Sequence, residues 1–292
     1  MQIVRCKKSK IKGKVIIITG ASSGIGRSLA YKLAPHEVKL VLNARRENML
    51  KKVAKNIVKF GSEASTVVGD IRDEEVQDRI VLHALEKYGH IDVLVNNAGL
   101  GKAARLLEQL DVNIDEMIDT NLKALIKMTK KILRPMIANH SGHIINISTS
   151  LVYLPNKILS IYIATKAGVK SFSDSIRNEL CDYGIKVSVV LPGPYNTQFH
   201  TVAGFNDIKY YCYNVEKLAE KLVKLIQKPK KVLIAPTSYN LLVKMVHLLP
   251  FLRNTIIKKI EKQIDSKIQI ENESSFESNS SILLKLMQKN CN

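Results

Sequence analysis

The stretch TGASSGIG, residues 19–26, decides the fold of this chain. It follows the β-branched run VIIIT (Val15–Thr19), which is typical of a buried strand, and it leads into residues with helical spacing. Gly20, Gly24 and Gly26 let backbone N–H groups approach a pyrophosphate, whose charge the positive end of a helix favours. The spacing differs from the more common G-x-G-x-x-G, and a glycine turn without a ligand is the alternative. The stretch predicts a dinucleotide-binding turn.

The rest of the chain alternates between short apolar runs and helical patterns. Candidate strands lie at Val15–Thr19, Lys39–Asn43, Ser65–Val68, Val93–Asn96, His143–Ile147, Lys186–Leu191 and Lys231–Ile234. Helical patterns between them include Met49–Lys59, Glu74–Tyr88, Ile114–Ala138 and Ser171–Tyr183. Such alternation is typical of βαβ units and predicts an α/β fold, with helices on both faces of a parallel sheet. We find no internal repeat and no boundary of a second domain.

Segments outside this alternation set the predicted domain limits. A basic lead (residues 1–13) precedes one α/β domain over residues 14–264, and the polar, Ser-rich residues 265–292 are predicted to be a flexible tail. Within the domain, residues 195–214 have few periodic apolar positions and several aromatic ones, so we predict a lid over the substrate. Residues 236–264 are predicted to form amphipathic C-terminal helices.

Positive charge is concentrated in two parts of the chain. Lys and Arg total 45 against 26 acidic residues, a net charge of +19, with clusters in residues 1–14 and 228–262. No zinc finger, RNA-binding motif or basic region with heptads accompanies them, so we predict no nucleic-acid partner. The uncharged runs in the leucine-rich segment 241–252 are too short to span a bilayer. This segment suits either a helix lying on an anionic membrane or a helix packed on the core or over the substrate cleft.

The cysteines and the N-terminus favour a cytoplasmic location. Four cysteines show no pairing rhythm and no C-x-x-C motif: Cys6, Cys181, Cys212 and Cys291. Free thiols of this kind are typical of a reducing compartment. The apolar run VIIITG is too short for a signal peptide and leads directly into the glycine turn. His140 and His143 lack a third ligand at a sensible spacing, so we predict no metal site.

Four further motifs follow the glycine turn. They are NNAG (Asn96–Gly99), DTNL with Asn121, YIATK (Tyr162–Lys166) and PGPYNT (Pro192–Thr197). In order and spacing the set resembles the short-chain dehydrogenase/reductase family over about residues 14–235. The resemblance implies one Rossmann-type, doubly wound domain with seven parallel strands, an NAD(P) cofactor, and hydride transfer at a carbonyl or alcohol carbon.

Tyr162 and Lys166 stand four residues apart, so on a helix they share one face and can flank one ligand. A nearby ammonium stabilises a phenolate, and we therefore expect the pKa of Tyr162 to lie below its usual value near 10. Such a tyrosine can donate a proton to a carbonyl oxygen as a hydride arrives. Outside this set of motifs, the same spacing is more often an ordinary surface pair.

The resemblance assigns roles to further residues. Lys166 would also hold the nicotinamide ribose, Asn121 would order a water of the proton relay, and a serine would hydrogen-bond the substrate oxygen. The family spacing of thirteen residues before the tyrosine leads here to Thr149, which offers the same hydroxyl. A shift of one residue would make Ser148 or Ser150 the donor instead.

Cofactor choice is read at the end of the second strand, in VLNARREN. An acid there would bind the ribose 2′-hydroxyl of NAD, whereas an arginine suits the 2′-phosphate of NADP. No acid occupies this turn, and Arg45 and Arg46 follow it, so NADP(H) is preferred over NAD(H). The resemblance implies further cofactor contacts from Gly20, Ser22, Ser23, Gly24, Ile25 and Gly26, from Asp70 and Ile71 at the adenine, from Asn97, Ala98 and Gly99, and from Pro192, Gly193 and, at the carboxamide, Thr197.

These observations predict an NADPH-dependent carbonyl reductase with an apolar or lipid-like carbonyl or alcohol substrate and, by family resemblance, a homo-oligomer. The aromatic lid, which includes Phe199, and the leucine-rich segment favour the apolar substrate. One alternative is a membrane-associated reductase of acyl or sphingoid ketones. Another is a nucleotide-binding regulatory or scaffold protein without turnover, which the intact proton-relay residues disfavour because a binder has no use for them.

Overall fold

In a computed structural model of the chain, seven strands form one sheet. The structure describes residues 10–153, 156–199, 203–204 and 212–237. The strands are β1 (Val15–Thr19), β2 (Lys39–Ala44), β3 (Glu63–Val68), β4 (Val93–Asn96), β5 (Gly142–Ile147), β6 (Ile185–Pro192) and β7 (Val232–Ala235). All neighbours pair in parallel, in the order β3-β2-β1-β4-β5-β6-β7. The predicted seven-stranded, doubly wound parallel sheet is confirmed.

Helices cover both faces of the sheet. They are α1 (Gly24–Leu33), α2 (Glu47–Val58), α3 (Glu74–Tyr88), α4 (Asp111–Ile118), α5 (Ala124–Ala138), α6 (Ser160–Leu180) and α7 (Val215–Gln227). Alternate residues of β1 divide between two apolar cores. Ile16 and Ile18 pack with residues of α1, α2 and α7, whereas Val15 and Ile17 pack with residues of α3, α5 and α6. Because both faces of the strand are buried, its sequence is a continuous apolar run rather than an alternating one.

The chain order reverses between β1 and β4, which lie side by side in the middle of the sheet. Ile17 of β1 pairs with Val41 of β2 on one side and with Leu94 of β4 on the other. In doubly wound sheets, ligands bind outside the carboxyl ends of the strands at such a switch point. The glycine turn after β1 and the NNAG motif after β4 therefore meet at the expected place for a ligand.

The predicted helix Ile114–Ala138 is wrong as a single element. In the structure, α4 and α5 are separated by a π-helix, Asp119–Lys123. A π-helix inserts one residue into the helical pattern and is frequent at functional sites. The apolar spacing on either side continues almost in phase, so hydrophobic periodicity gave no sign of it.

The predicted helix Ser171–Tyr183 starts eleven residues too late, since α6 begins at Ser160. The first turns of α6 bury Tyr162, Thr165 and Lys166, which are polar. Polar residues on a buried face interrupt the apolar periodicity that marks a helix in a sequence. The part of the helix that the apolar pattern missed is thus the part that carries the YIATK motif.

Parts of several predicted segments lie outside the described residues. These are the basic lead up to residue 9, half of the lid (200–202 and 205–211), and residues 238–292, with nearly all of the predicted C-terminal helices and the tail. The domain limits and the membrane contact of residues 228–262 therefore stay predictions. All described residues belong to the compact unit Met1–Val243. Within the described ranges, no helix has the length and apolarity to cross a membrane.

Candidate active site

Close contacts at Gly20 and Gly26 leave no room for a side chain at these two positions of the glycine turn after β1. Gly20 and Gly24 have φ angles of +66° and +54°, in the left-handed region that favours glycine. A Cβ atom on Gly26 would lie 2.6 Å from the Gly20 carbonyl oxygen and 2.6 Å from the Asn97 side-chain nitrogen. The backbone conformation favours glycine at Gly20 and Gly24, and close packing requires it at Gly20 and Gly26.

Thr19 and Asn97 join this turn to the NNAG motif. The Thr19 hydroxyl accepts hydrogen bonds from the backbone N–H groups of Asn97 at 3.0 Å and Ala98 at 3.1 Å. The Asn97 side chain donates to the carbonyl oxygens of Thr19 at 3.0 Å and Gly20 at 3.2 Å. The turn after β1 and the loop after β4 are thereby held side by side at the switch point.

The cradle formed by this turn suits an anionic group. Helix α1 begins at Gly24, has no acidic residue in its first turn, and its N-cap Ser23 makes no side-chain capping bond. Backbone N–H groups and the dipole at a helix N-terminus attract phosphate. Thr197, in the loop after β6, lies 3.5 Å from the Cβ position of Gly24, so that loop borders the same turn. These residues fit the pyrophosphate of a dinucleotide.

Arg46 lies against the glycine turn. Its guanidinium donates to the hydroxyl of Ser22 at 3.1 Å and to the hydroxyl of Ser23 at 2.7 Å. It also donates to the side-chain oxygen of Gln198 at 3.2 Å, in the loop after β6. Arg46 therefore bridges two walls of the cleft and brings a positive charge to any phosphate bound at the turn.

Arg45 belongs to a different group of charges. Its guanidinium lies 3.5 Å from the carboxylate of Asp70 and 3.9 Å from that of Glu116. Arg72 pairs with the same two acids, at 2.8 Å and 3.9 Å. The Arg45 side chain is 61% exposed, so its ion pairs are weak. The two arginines after β2 thus stand in different surroundings, Arg46 on the turn and Arg45 in a surface cluster.

Tyr162 and Lys166 lie on the buried face of α6, where they are 8% and 4% exposed. The Lys166 ammonium donates a hydrogen bond of 2.9 Å to the Ile147 carbonyl oxygen at the end of β5. The Ser148 hydroxyl donates to the Lys166 carbonyl oxygen at 2.7 Å. The end of β5 therefore holds α6 at both the main chain and the side chain of Lys166.

The expected lowering of the Tyr162 pKa is wrong. Burial raises the pKa of Tyr162, since a phenolate would be poorly solvated there, and the hydrogen bond with Thr149 offsets only part of that effect. Burial also lowers the pKa of Lys166, to about 8. The Lys166 ammonium donates its hydrogen bond to the Ile147 carbonyl oxygen. Tyr162 is consequently a neutral hydroxyl at pH 7, the form that can donate a proton.

Three neighbouring hydroxyls were candidates for the substrate oxygen, and they have different partners. The side chain of Thr149 is hydrogen-bonded to Tyr162. The Ser148 hydroxyl is engaged with the Lys166 carbonyl oxygen. The Ser150 hydroxyl is buried and has no hydrogen-bond partner in the described part of the chain. The register that brings a hydroxyl to the phenol is the one with Thr149.

Asn121 lies in the π-helix and is fully buried. Its side chain accepts from the N–H of Leu100 at 2.8 Å, and donates to the Leu100 carbonyl oxygen at 2.8 Å and to the Thr165 hydroxyl at 3.1 Å. A Cβ atom on Gly99 would lie 2.9 Å from the Asn121 side-chain oxygen and 3.1 Å from the Lys166 nitrogen. Asn121 thus ties the loop after β4 to α6, and its role in ordering water stays a prediction.

Other predicted cofactor residues border the cleft or serve the framework. Pro192 ends β6 and its carbonyl oxygen lies 3.5 Å from the Thr149 hydroxyl. The N–H of Gly193 donates to the Ala235 carbonyl oxygen of β7 at 2.7 Å. The side chains of Ile25 and Ile71 pack against the two apolar cores. Pro192 therefore lies beside Thr149, Gly193 joins the loop after β6 to β7, and Ile25 and Ile71 contribute their apolar side chains to packing.

Phe199 and Gly101 lie against Tyr162 and belong to no motif. The rings of Phe199 and Tyr162 have centroids 5.1 Å apart and planes inclined by 46°. Gly101 approaches both rings. Aromatic residues in the lid were visible in the sequence, but the path of the loop after β6 decides which of them reaches Tyr162. For Gly101, which follows NNAGL without a recognisable spacing, the sequence carries no signal.

The chain is similar in sequence and in fold to known proteins of one family. The family model of the short chain dehydrogenases matches residues 14–204. An uncharacterized oxidoreductase of Staphylococcus saprophyticus is 34% identical over 224 residues, 76% of this chain and 95% of that protein. A short-chain dehydrogenase from Sphingobium yanoikuyae, solved with NADPH, is 28% identical, with a TM-score of 0.72 over 76% of this chain and 88% of that one. A short-chain dehydrogenase/reductase from Burkholderia phymatum, solved with NAD, shares the fold at 22% identity, with a TM-score of 0.76 over 84% and 96% of the two chains.

Proposed function

Since the chain belongs to the short-chain dehydrogenase family, we propose that it transfers a hydride from NADPH to the carbonyl carbon of an apolar substrate. The observation that carries this proposal is the meeting of Tyr162, Thr149 and Lys166 at the carboxyl edge of the sheet. They lie beside a glycine cradle that suits a pyrophosphate. Oxidoreductase chemistry is common to the family, while NADPH and the apolar substrate are specific to the proposal.

Each polar side chain of the site has a task in this reaction. A bound nicotinamide cofactor supplies the hydride. The Tyr162 hydroxyl donates its proton to the carbonyl oxygen as that oxygen gains negative charge. Thr149, hydrogen-bonded to Tyr162, donates to the same oxygen and orients the carbonyl group. The charge of Lys166, one helical turn away, stabilises the phenolate that remains.

The preference for NADPH is supported by the charges at the end of β2. Arg46 donates to Ser22 and Ser23 on the glycine turn, so its guanidinium is positioned by the same turn that suits the pyrophosphate. Arg45 is exposed, and a surface ion pair of the kind it makes with Asp70 contributes only about 0–1 kcal/mol. Arg45 can exchange that carboxylate for a phosphate at little cost, and guanidinium groups bind phosphate through paired hydrogen bonds.

The apolar substrate is supported by the surroundings of Tyr162. The Phe199 ring covers the tyrosine. Leu106 and Leu107 are 62% and 99% exposed, shortly after Ala103, whose N–H donates to the carbonyl oxygen of the lid residue Ala203 at 2.9 Å. Exposed apolar side chains next to a cleft favour an apolar ligand or surface. The same leucines and the basic segment 228–262 also fit the alternative of a membrane-associated reductase.

The test is NADPH oxidation with a panel of apolar aldehydes and ketones, compared between the wild type and Tyr162→Phe. Removal of a general acid should lower turnover by about 10²–10⁴-fold. NADPH binding, followed by cofactor fluorescence, should not change, because the phenol hydroxyl is not needed to bind the pyrophosphate. Equal measurable rates in the two proteins would remove Tyr162 from the mechanism, whereas no oxidation above background by either protein, with NADPH bound by both, would support the non-catalytic scaffold.

A further inference from the structure

Thr165 has a buried hydroxyl, between Tyr162 and Lys166 in the chain, that takes no part in the proposed reaction. The residue lies on α6 and is 3% exposed. Its hydroxyl accepts from the side-chain nitrogen of Asn121 at 3.1 Å and donates to the carbonyl oxygen of Tyr162 at 2.7 Å. A threonine on a helix often bonds the carbonyl group three residues earlier, but here the same hydroxyl also binds another element. Thr165 therefore joins the π-helix to the main chain of the proposed proton donor.

The connection continues from Asn121 to the loop after β4. The Asn121 side chain accepts from the N–H of Leu100 and donates to the Leu100 carbonyl oxygen, both at 2.8 Å. Its two N–H groups are thus both used, one for this loop and one for Thr165. Leu100 directly follows the NNAG motif, which is bonded to the glycine turn. A chain of hydrogen bonds therefore runs from the loop beside the cofactor cradle to the main chain of Tyr162.

The π-helix and α6 lie close together beside this connection. A Cβ atom on Gly168 would lie 3.1 Å and 3.3 Å from the two methyl carbons of Leu122. Asn121 and Thr165 are 0% and 3% exposed, so bulk solvent does not reach the bond between them. A buried amide hydrogen that loses its acceptor has no ready replacement. Loss of the Thr165 hydroxyl should therefore disturb Asn121 as well as α6.

We propose that Thr165 is a positioning residue, whose hydroxyl fixes Tyr162 relative to the cofactor through Asn121. The inference rests on the proposed function. The bonds of Lys166 and Ser148 hold α6 to the end of β5. Asn121 and Thr165 hold the same helix to the loop after β4, and thereby to the cofactor cradle. Hydride and proton have to reach one carbonyl group, and an error of about 1 Å in the position of a reacting group can lower the rate by about 100-fold.

The test compares Thr165→Val, which keeps the shape of the side chain without its hydroxyl, with Thr165→Ser, which keeps the hydroxyl. Values of kcat and KM are measured with NADPH and with hexanal and benzaldehyde as apolar carbonyl probes. Thr165→Val should lower kcat by about 10–100-fold. KM for the aldehydes and the affinity for NADPH should change little, because both partners of the hydroxyl belong to the protein itself. Thr165→Ser should recover most of kcat.

Ser173 offers a matched control on the same helix. Its buried hydroxyl accepts from the side-chain nitrogen of Asn146 at 2.9 Å and donates to the carbonyl oxygen of Val169 at 2.6 Å. Ser173→Ala therefore removes the same two kinds of hydrogen bond, about 12 Å farther along α6. Like Thr165→Val, it should lose stability in urea denaturation, but it should keep the kcat of the wild type. Equal kcat values in Thr165→Val and Ser173→Ala would overturn the inference.

Hydrogen–deuterium exchange of the NADPH-loaded protein gives a second readout that needs no turnover. The amide of Leu100 donates to Asn121, so its exchange should become faster in Thr165→Val. Ser173→Ala should leave it unchanged. The same exchange at Leu100 in Thr165→Val and in the wild type would contradict the connection through Asn121, whether or not either aldehyde is reduced.

A further variant covers the case that Thr165→Val folds poorly. Thr165→Cys carries a thiol, which is a weak donor and a weak acceptor, so its kcat should lie below that of Thr165→Ser. Equal kcat values in these two variants would count against a role of the hydrogen bonds. The proposed function fails in a different way, with Tyr162→Phe reducing the aldehydes as fast as the wild type.

Discussion

Lys166 donates its ammonium hydrogen to the Ile147 carbonyl oxygen over 2.9 Å, so the last residue of β5 holds the lysine on the buried face of α6 that also carries Tyr162. Burial favours the uncharged form of both groups. It therefore raises the pKa of Tyr162 and lowers that of Lys166 to about 8. The donor is therefore protonated at neutral pH, while the lysine is close to losing its charge.

This pKa predicts an alkaline limit to the reduction. Below about pH 8, Lys166 is charged and Tyr162 is protonated, so kcat/KM should be independent of these groups. Above that pH, Lys166 loses its proton and no longer stabilises the phenolate, and kcat/KM should fall. In Lys166→Arg the alkaline decrease in kcat/KM should disappear, because a guanidinium stays charged. The value of kcat/KM should be lower than in the wild type throughout. The same limb in both proteins would assign the titration to another group.

The hydrogen bond between Thr149 and Tyr162 predicts a graded series at the three hydroxyls. Thr149→Val keeps the shape of the side chain and should lower kcat by about 10–100-fold, the range for a hydrogen bond to a group that develops charge. Thr149→Ser should restore most of the activity. Ser150→Ala should stay near the wild type in steady-state assays. A larger loss in Ser150→Ala than in Thr149→Val would move the role to Ser150.

The Ser148 hydroxyl is bonded to the main chain of α6, so its substitution should change the stability of the protein rather than its activity. Its hydroxyl donates to the Lys166 carbonyl oxygen inside the protein. Ser148→Ala should lower the free energy of unfolding by about 0.5–1.5 kcal/mol, because it removes one buried hydrogen bond between the end of β5 and α6. Urea denaturation measures the change. Unchanged stability together with lost activity would make Ser148 a member of the reacting group.

The two arginines after β2 predict discrimination between cofactors. Arg45→Ala should weaken NADPH by about 1.5–3 kcal/mol, the range for a hydrogen bond to a charged group, and leave NADH nearly unchanged. Arg46→Ala should do the same if its guanidinium binds the 2′-phosphate, and should weaken both cofactors if it binds the pyrophosphate that they share. Fluorescence titration with both cofactors gives the affinities. Lys52→Ala, an exposed cation on α2, is the charge-matched control. If either arginine variant loses NADH and NADPH equally, that arginine does not bind the 2′-phosphate.

His143 predicts how stability depends on pH. Burial and the nearby charge of Lys14 lower its pKa from 6.5 to about 4. The unfolded chain therefore takes up a proton between these values while the native state does not, so the free energy of unfolding should fall as pH decreases from about 6.5 to 4. The slope from this residue is at most about 1.4 kcal/mol per pH unit. Its ring nitrogen lies 2.8 Å from the Ser188 hydroxyl.

Denaturation of wild type and His143→Gln at several pH values checks this assignment. Glutamine does not titrate and can still bond Ser188, so the difference in stability between the two proteins should shrink or reverse toward pH 4. A difference that is constant across the range would show that His143 does not carry the dependence.

Local spacing in the sequence was enough for the sheet, for the glycine turn and for the shared helix face of Tyr162 and Lys166. Strand boundaries agree within two residues, and the helix Glu74–Tyr88 has the predicted ends. These features depend on backbone sterics and on apolar periodicity, which act between residues close in the chain. The order of the motifs along the chain then places their loops at the carboxyl edge of a parallel sheet.

Contacts between distant parts of the chain decided the rest. The direction of the Tyr162 pKa shift depends on burial, which outweighs the hydrogen bond with Thr149, and neither is visible in the spacing YIATK. The choice of Thr149 among three hydroxyls and the separate surroundings of Arg45 and Arg46 depend likewise on side chains from other strands and loops. Desolvation and hydrogen-bond partners are properties of the packed interior, so only the tertiary structure determines them.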